Sequence, residues 1–328
     1  MQKSCQEAYQ SLAEALEITN ENMFKQELGP ALKTMRLECE NWTISSYRVS
    51  VFTKLLQRSG SVNGFYPDLI ISIFQQVLED ADAELKLKMF ISLSKQLQNV
   101  DGTLNSQNDF TNNLALKIVD QLILPSLKWQ AGRKSEAVRI AAVSSLYCVF
   151  SSASLDPKWI WQDPTSMASK LIPSMNRLSE DDSVKIRLFI CQSFRFLFEQ
   201  SRTMIPMEYL VKICSFLIKR LDDVSDEVRL ACLQALEAVT LCLPALPVAD
   251  SLGGGRDDEA ERRENQLSHH LNSVYTALLL HMDDTNEAIR DAALGNCSFP
   301  VFFRRPFRKN IPFLMSFLCE IFTWHQVD

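Results

Sequence analysis

The chain has 328 residues, of which 46% are hydrophobic and only 9 are glycine, so it contains ample apolar material for a long helical protein. Its 34 basic and 40 acidic side chains give a net charge of −6, without the basic excess that is typical of a nucleic-acid-binding protein. No stretch reaches 18 uncharged apolar residues, and residues Met1–Gln6 contain no apolar signal core, so we expect a cytoplasmic protein.

Helical periodicity runs along most of the chain. One helix is predicted over residues 5–18, and a second over 22–38 with an interruption near Gly29-Pro30. From there first and second helices alternate in pairs, and we predict them at residues 45–58, 66–78, 83–97, 112–127, 135–151, 165–178, 183–200, 206–221, 225–242, 266–282 and from 286 onward. A single pair of this kind cannot bury its apolar side, so neighbouring pairs must stack.

The second helices share a repeated opening. Each begins with an apolar residue followed by a basic one, and successive copies are 38, 53, 48, 42 and 61 residues apart. The six pairs are Tyr47-Arg48, Leu85-Lys86, Val138-Arg139, Ile186-Arg187, Val228-Arg229 and Ile289-Arg290. Self-similarity at this period is typical of helical-repeat arrays.

Apolar and small residues follow each pair at the spacing of one helix face. After Val228, the positions three, four, seven and eight residues later are Ala231, Cys232, Ala235 and Leu236. Residues at these intervals lie on the same side of an α-helix, and the small ones allow a neighbouring helix to approach closely.

An acidic residue recurs in the turn, five residues before the pair. The positions are Asp80, Asp181, Asp223 and Asp284. A carboxylate there can accept backbone N–H groups at the start of the helix or meet an arginine of the adjacent unit. Together with the pair and the small-residue face, this turn resembles the HEAT repeat, whose length is ~40–47 residues.

The first two copies fit this pattern less well than the later ones. Lys54 and Lys88 occupy positions where a small or apolar residue is expected. The turn acid is also replaced in two copies, by Trp42 and by Arg133.

The predicted fold is all-α, an α-solenoid of about six HEAT-like helical hairpins with two long inter-helix loops. We assign residues 1–296 to the repeat array, with loops at 98–113 and 243–265, and residues 297–328 to an irregular apolar and basic tail that begins near a helix-stopping Pro300.

Residues that could carry chemistry do not form a recognisable site. The histidines are His269, His270, His281 and His325, and their spacing favours surface positions over a metal site. No nucleophile, phosphate-binding or metal-binding motif is present, so we predict no catalytic, cofactor-binding or metal residues and no enzyme activity. The nine cysteines lack a C-x-x-C pair and are expected to be buried thiols, and Trp159-Ile160-Trp161 is expected to cap the core.

Three stretches extend the resemblance beyond the repeat class: residues 37–56 around Asn41-Trp42, residues 129–142, and residues 275–292. In these stretches the chain resembles the C-terminal part of the HEAT-repeat axonemal dynein assembly factors. The resemblance implies a non-enzymatic cytoplasmic scaffold that binds dynein subunits during preassembly of dynein arms for motile cilia, with chaperones or other assembly factors as further partners. It implies no membrane or nucleic-acid partner and supplies no catalytic residues.

Two alternatives remain open from the residues alone. One is a generic HEAT-repeat scaffold of the transport or phosphatase-scaffold type, since repeat arrays offer extended binding surfaces. The other is a nucleic-acid-binding array, which the recurring turn acids disfavour. The sequence identifies neither the partner-contacting residues nor the oligomeric state.

Overall fold

The computed structural model describes residues 20–98, 114–152, 157–161, 167–242 and 272–297, together with Ser11 and Ala15. In these residues the regular structure is helical and contains no strand. The helices are α1 (Asn20–Glu38), α2 (Tyr47–Ser59), α3 (Pro67–Asp80), α4 (Ala83–Gln98), α5 (residues 114–126), α6 (Arg133–Ser151), α7 (Lys158–Trp161), α8 (Met167–Leu178), α9 (Val184–Ser201), α10 (Met207–Arg220), α11 (Asp226–Val239), α12 (residues 272–280) and α13 (Glu287–Cys297). All are α-helical except the middle of α5, where Ile118–Ile123 form a π-helix. The predicted all-α repeat fold is confirmed, and the predicted helix pairs are present in it.

The chain divides into two units, residues 1–193 and residues 194–328. In the first unit, like helices pack together: α1 on α3 and α3 on α5 among the first helices, and α2 on α4 and α4 on α6 among the second helices. In the second unit, α10 packs on α11 and α11 on α13. Each helix pair therefore completes its core with its neighbours along the chain, as expected for a repeat array.

Aromatic side chains fill the start of the first unit. Phe52 of α2 meets Trp42 at 5.6 Å between ring centroids, and it meets Phe74 of α3 at 5.4 Å in an edge-on arrangement. Phe52 and Phe74 are fully buried, and so is Phe90 of α4. Edge-on pairs of this kind add to the free energy gained by burying apolar area.

Helix α1 is continuous through Gly29-Pro30, so the predicted interruption is wrong. The position of Tyr66 accounts for the glycine. Its ring lies so close to Gly29 that a Cβ there would be 2.7 Å from the ring, and its hydroxyl donates to the Lys25 carbonyl at 2.7 Å. The phenol thus packs against the helix where a larger side chain would clash, next to the proline that lacks an N–H.

The repeat register of α2 differs from the prediction. Leu85, Ile186, Val228 and Ile289 are each the third residue of their helix and are buried. Tyr47 is instead the first residue of α2 and is 70% exposed. The third residue, Val49, is fully buried and takes its place, followed by Phe52 and Leu56 on the same face.

The described residues 157–161 of the connection after α6 contribute to the core, as predicted. Its residues 158–161 form the short helix α7, in which Trp159 and Ile160 are buried. The Trp159 ring stacks on Phe150 of α6, with 6.5 Å between centroids and 12° between ring planes.

Seven cysteines lie in the described residues, and all seven are buried thiols: Cys39, Cys148, Cys191, Cys214, Cys232, Cys242 and Cys297. Burial raises the pKa of the Cys214 thiol to about 12, and the neighbouring Cys242 adds to this rise. Burial likewise raises the pKa of Cys242 to about 12. The predicted burial of these cysteines as free thiols is confirmed for the seven, while Cys5 and Cys319 lie outside the described residues.

Several predictions fall on residues that are not described. They include the helix at 5–18, most of the loop at 98–113, the loop at 243–265 and the tail beyond Cys297. The division into a 1–296 array and a 297–328 tail therefore stays a prediction. Among the described helices, none is long and apolar enough to cross a membrane.

We predict that Ala235→Asp destabilises the second unit by about 3 kcal/mol or more, because it places an unpaired carboxylate in the core. Ala235 is fully buried on α11. The matched control is Ala288→Asp, at an exposed position in the first turn of α13 where an acid is favourable. The measurement is the urea unfolding midpoint, and an equal midpoint for both variants would contradict the buried face.

We predict that Cys214 and Cys242 react with iodoacetamide at pH 8 about a thousandfold more slowly in the native chain than in urea. Only the thiolate reacts, and pKa values of about 12 make it rare at this pH. Mass spectrometry of peptides after timed labelling gives the rate at each cysteine. Comparable rates in both states would show that these thiols are accessible.

Candidate functional site

The turn aspartates bind the start of the following helix, as predicted for three copies. Asp181 Oδ1 accepts the Ser183 N–H at 3.0 Å, and Asp223 Oδ1 accepts the Ser225 N–H at 3.0 Å. Asp284 does the same with the N–H of Asn286, at 2.8 Å. Each carboxylate thereby satisfies a backbone donor in the turn before a second helix.

The prediction that Asp80 is the turn acid of its copy is wrong. Helix α3 extends to Asp80, whose carboxylate accepts the Gln76 side-chain amide at 3.1 Å. The turn contains only Ala81 and Asp82, and Asp82 performs the capping instead. Its Oδ1 accepts the N–H groups of Glu84 and Leu85, both at 2.9 Å.

Arginines of the second helices reach the turn aspartate of the next repeat. Arg139 of α6 donates from Nε to Asp181 at 3.2 Å, and the two side chains are 5% and 3% exposed. In the second unit, Arg229 of α11 makes the equivalent ion pair with Asp284. The expected contact between a turn acid and an arginine of the adjacent unit is therefore confirmed in both units.

The same arginine position also binds turn carbonyls. Arg187 donates from Nη1 to the Asp181 carbonyl at 2.8 Å, and Arg290 donates to the Asp284 carbonyl at 2.8 Å. Arg139 donates to Gln130 in the turn before its own helix, also at 2.8 Å. One guanidinium can make several such bonds because its donors form a rigid fork.

Arg229 has a second carboxylate partner on its own helix. The hydrogen bond from Arg229 holds the pKa of the Asp226 carboxyl below its usual value, and Asn286 donates a further bond. A lowered folded-state pKa means that this contribution to stability is present at neutral pH and is lost as acid protonates the carboxyl.

We predict that Arg139→Ala and Asp181→Ala each destabilise the first unit by about 3–5 kcal/mol, because either change leaves the other charge buried without an oppositely charged partner. The matched control is Lys170→Ala. Lys170 also pairs across repeats, with Asp120 at 2.9 Å, but the two side chains are 58% and 39% exposed, so its loss should cost at most ~1 kcal/mol. Urea unfolding of both single variants and of the Arg139→Ala/Asp181→Ala double variant gives the coupling free energy. A coupling near zero would show that the buried pair does not connect the repeats.

The only histidine among the described residues, His281, is not at the surface, contrary to the prediction. Its side chain is 12% exposed and lies between two carboxylates, with Nε2 3.7 Å from Asp222 and Nδ1 3.9 Å from Asp284. In the turn before α13, the ring therefore lies beside the turn aspartate Asp284. The other three histidines lie outside the described residues. Among the residues that are described, no group of three or more His, Cys, Asp or Glu side chains could hold a metal ion.

A groove of about 150 Å³ opens between the second helices α2 and α4. Its lining residues are Thr53, Gln57, Lys88, Ile91, Ser92, Lys95 and Gln96. The Gln96 amide spans the two helices, 3.1 Å from the Leu56 carbonyl and 3.1 Å from the Gln57 N–H. Ile91 is 47% exposed, so an apolar side chain is open to solvent in a polar and basic setting.

This groove is the part of the candidate site that the sequence analysis missed. Lys88 was visible only as a departure from the repeat pattern, at a position expected to be small or apolar. In the structure the helix turns Met89, Phe90 and Leu93 inward, and Lys88 lies at the edge of the groove. The sequence signal for the groove was the lysine at a position where the repeat pattern expects a small or apolar residue. A lysine that faces a neighbouring repeat can also face a ligand.

Comparison with known proteins places this chain beside one group of curated relatives. No family model matches the chain. It is 28% identical over 307 residues to mouse Dynein axonemal assembly factor 5, covering 92% of this chain and 34% of that protein. It is 29% identical over 299 residues to the human protein of that name, covering 90% and 32%, and 29% identical over 292 residues to the Xenopus laevis protein, covering 88% and 32%.

The resemblance stated from the sequence is confirmed. The similarity extends over about nine tenths of this chain, whereas the chain spans about a third of the length of these relatives.

Solved structures that align with this chain include engineered proteins. A designed armadillo repeat protein in complex with the peptide (KR)4 aligns with a TM-score of 0.49 and 16% identity, covering 83% of this chain and 94% of that one. An engineered structural-genomics protein aligns with a TM-score of 0.49 and 11% identity, covering 88% and 95%. The fold assignment rests on the helix pairs and their contacts described above.

Proposed function

We propose that this chain is a non-enzymatic scaffold that binds axonemal dynein subunits in the cytoplasm during preassembly of dynein arms. The observation that carries the proposal is the similarity to Dynein axonemal assembly factor 5 from three vertebrates across about nine tenths of the chain. The name of those relatives states an assembly role, and the proposal extends that role to this chain.

The repeat architecture supports the proposal that the chain acts by binding other proteins. Two ion pairs, Arg139–Asp181 and Arg229–Asp284, join successive repeats. They lie in turns and recur, whereas a catalytic carboxylate would occur once in a cleft. A repeat protein whose ion pairs join its own repeats can offer its extended surface to partner proteins.

A generic scaffold of the transport or phosphatase type is the second candidate. It shares the helix pairs and differs only in the partner. The partner set is therefore the measurement that separates the two candidates.

We predict that the chain, expressed with an affinity tag in ciliating cells, captures dynein heavy or intermediate chains, with chaperones as accompanying proteins. The bound set is identified by mass spectrometry after cross-linking. Ala235→Asp serves as the control for capture that depends on the folded repeats. A bound set dominated by transport or phosphatase subunits, without dynein chains, would favour the generic scaffold.

Function in cells is tested by depletion and rescue. Loss of the protein from multiciliated cells should remove outer and inner dynein arms from axonemes seen in cross-section. Intact arms after complete depletion would contradict the dynein assignment. Salt-sensitive nucleic-acid binding by the purified chain would contradict both scaffold candidates.

A further inference from the structure

The lysines at the groove between α2 and α4 differ from the other lysines that bridge repeats. Lys117, Lys134 and Lys170 each pair with a carboxylate of the preceding repeat: Asp68, Glu84 and Asp120, respectively. Lys88 and Lys95, in contrast, form no ion pair with any described residue. The Lys88 ammonium donates only to the Ser50 hydroxyl, at 3.3 Å, and Lys95 is exposed.

The two helices that border the groove carry a local positive charge in an acidic chain. Helix α2 contains three basic and no acidic side chains, and α4 contains three basic and one acidic. The adjacent first helix α3 contains three acidic and no basic side chains. The chain as a whole has a net charge of −6, so the groove is a localised attractive site for anions.

The apolar side chain at the centre of the groove indicates what kind of ligand would fit. Ile91 lies three residues after Lys88 and four before Lys95, so the three side chains share one face of α4. Ile91 is exposed there, between two ammonium groups. A matching ligand presents an apolar side chain between negative charges.

The dimensions favour a peptide segment over a small molecule or a nucleic acid. A volume of about 150 Å³ is below the ~300–1,000 Å³ of small-molecule pockets, but it accommodates single side chains of a longer segment. None of the lining residues is aromatic, so nucleic-acid bases would find no surface for stacking.

The spacing along α4 sets the spacing of charges in the ligand. Seven residues separate Lys88 from Lys95, which corresponds to about 10.5 Å along the helix axis. An extended polypeptide advances about 3.1–3.4 Å per residue, so this distance matches carboxylates about three residues apart.

We propose that the groove between α2 and α4 binds an extended acidic segment of a partner protein, with its carboxylates against Lys88 and Lys95 and an apolar side chain against Ile91. This proposal rests on the proposed function in so far as the chain binds proteins. It adds the chemical class of the bound segment and its place on the first unit.

The test is fluorescence anisotropy of the full chain with a labelled peptide of three consecutive Glu-Leu-Ser units. Two control peptides replace every Glu by Gln, or every Leu by Ser. We expect saturable binding of the first peptide, and binding at least about tenfold weaker for the Gln control, since two ion pairs and their steering field are lost. Equal affinity for the first peptide and the Gln control would overturn the proposal.

Protein variants locate the site. We expect Lys88→Glu/Lys95→Glu to weaken peptide binding by about tenfold or more, because both attractions become repulsions. Lys33→Glu/Lys128→Glu changes the net charge equally, at exposed positions outside the groove, and should leave the affinity within about twofold. Equal losses of peptide affinity in the two variants would show that only the net charge of the chain matters, and would overturn the proposal.

The apolar contact has a separate readout. Ile91→Ser should weaken binding of the Leu peptide about fivefold and should not change binding of the Leu-to-Ser control, since only the first can use the apolar contact. Circular dichroism and unfolding midpoints establish that each variant is folded. Tighter binding of a single-stranded oligonucleotide than of the acidic peptide would overturn the assignment to a protein segment.

Failure of this proposal is distinguishable from failure of the proposed function. If the wild-type chain captures dynein subunits but does not bind the peptide, the groove proposal falls and the assembly role stands. If it binds the peptide through Lys88 and Lys95 but captures no dynein subunit, the reverse holds.

Discussion

The buried contact between a second-helix arginine and the turn aspartate of the next repeat is the constraint on which the rest of the structure depends. Arg139–Asp181 and Arg229–Asp284 join repeats that are distant in sequence, and each aspartate also holds the N–H of its own turn. Burying such a pair offsets much of its own electrostatic gain, so its net contribution to stability is small. We infer that it determines which turn lies against which helix, while the apolar faces supply most of the stability.

The first two repeats use the same basic position differently. Arg48 pairs with Glu38 of the preceding helix, and Lys86 donates to the Glu79 carbonyl at the end of α3, at 3.1 Å. Both partners belong to the residues just before the second helix, so neither cation reaches a following repeat. Contact between α2 and α4 is instead made by apolar packing, by the Lys88–Ser50 hydrogen bond and by the Gln96 amide, which lies against the Leu56 carbonyl and the Gln57 N–H. This looser polar connection leaves room for the groove.

The periodicity of the sequence was sufficient to predict the helix pairs and most of the buried face. It failed at Tyr47 and at Asp80, and the two errors have one cause. The pattern identifies which residues share a face but not where a helix begins. The buried position is the third residue of the helix in four of the predicted copies and at Val49, whereas the buried Val138 is the sixth residue of α6. The turn acid moves with the helix end in the same way, from Asp80 to Asp82. The groove could not be predicted, because it depends on the gap between two helices that are 38 residues apart in the repeat pattern.

Residues that match the repeat consensus make contacts within the repeat array. Val228, Arg229 and their equivalents bury a face or bind a neighbouring turn, so they are unavailable to a partner. Specific recognition by a repeat array must therefore come from positions that depart from the consensus. Lys88 and the exposed Ile91 are departures of this kind, and they lie together in the repeats whose polar connections are least complete. The departures from the repeat pattern in these repeats therefore do not open the core, because Phe52, Phe74 and Phe90 remain fully buried there.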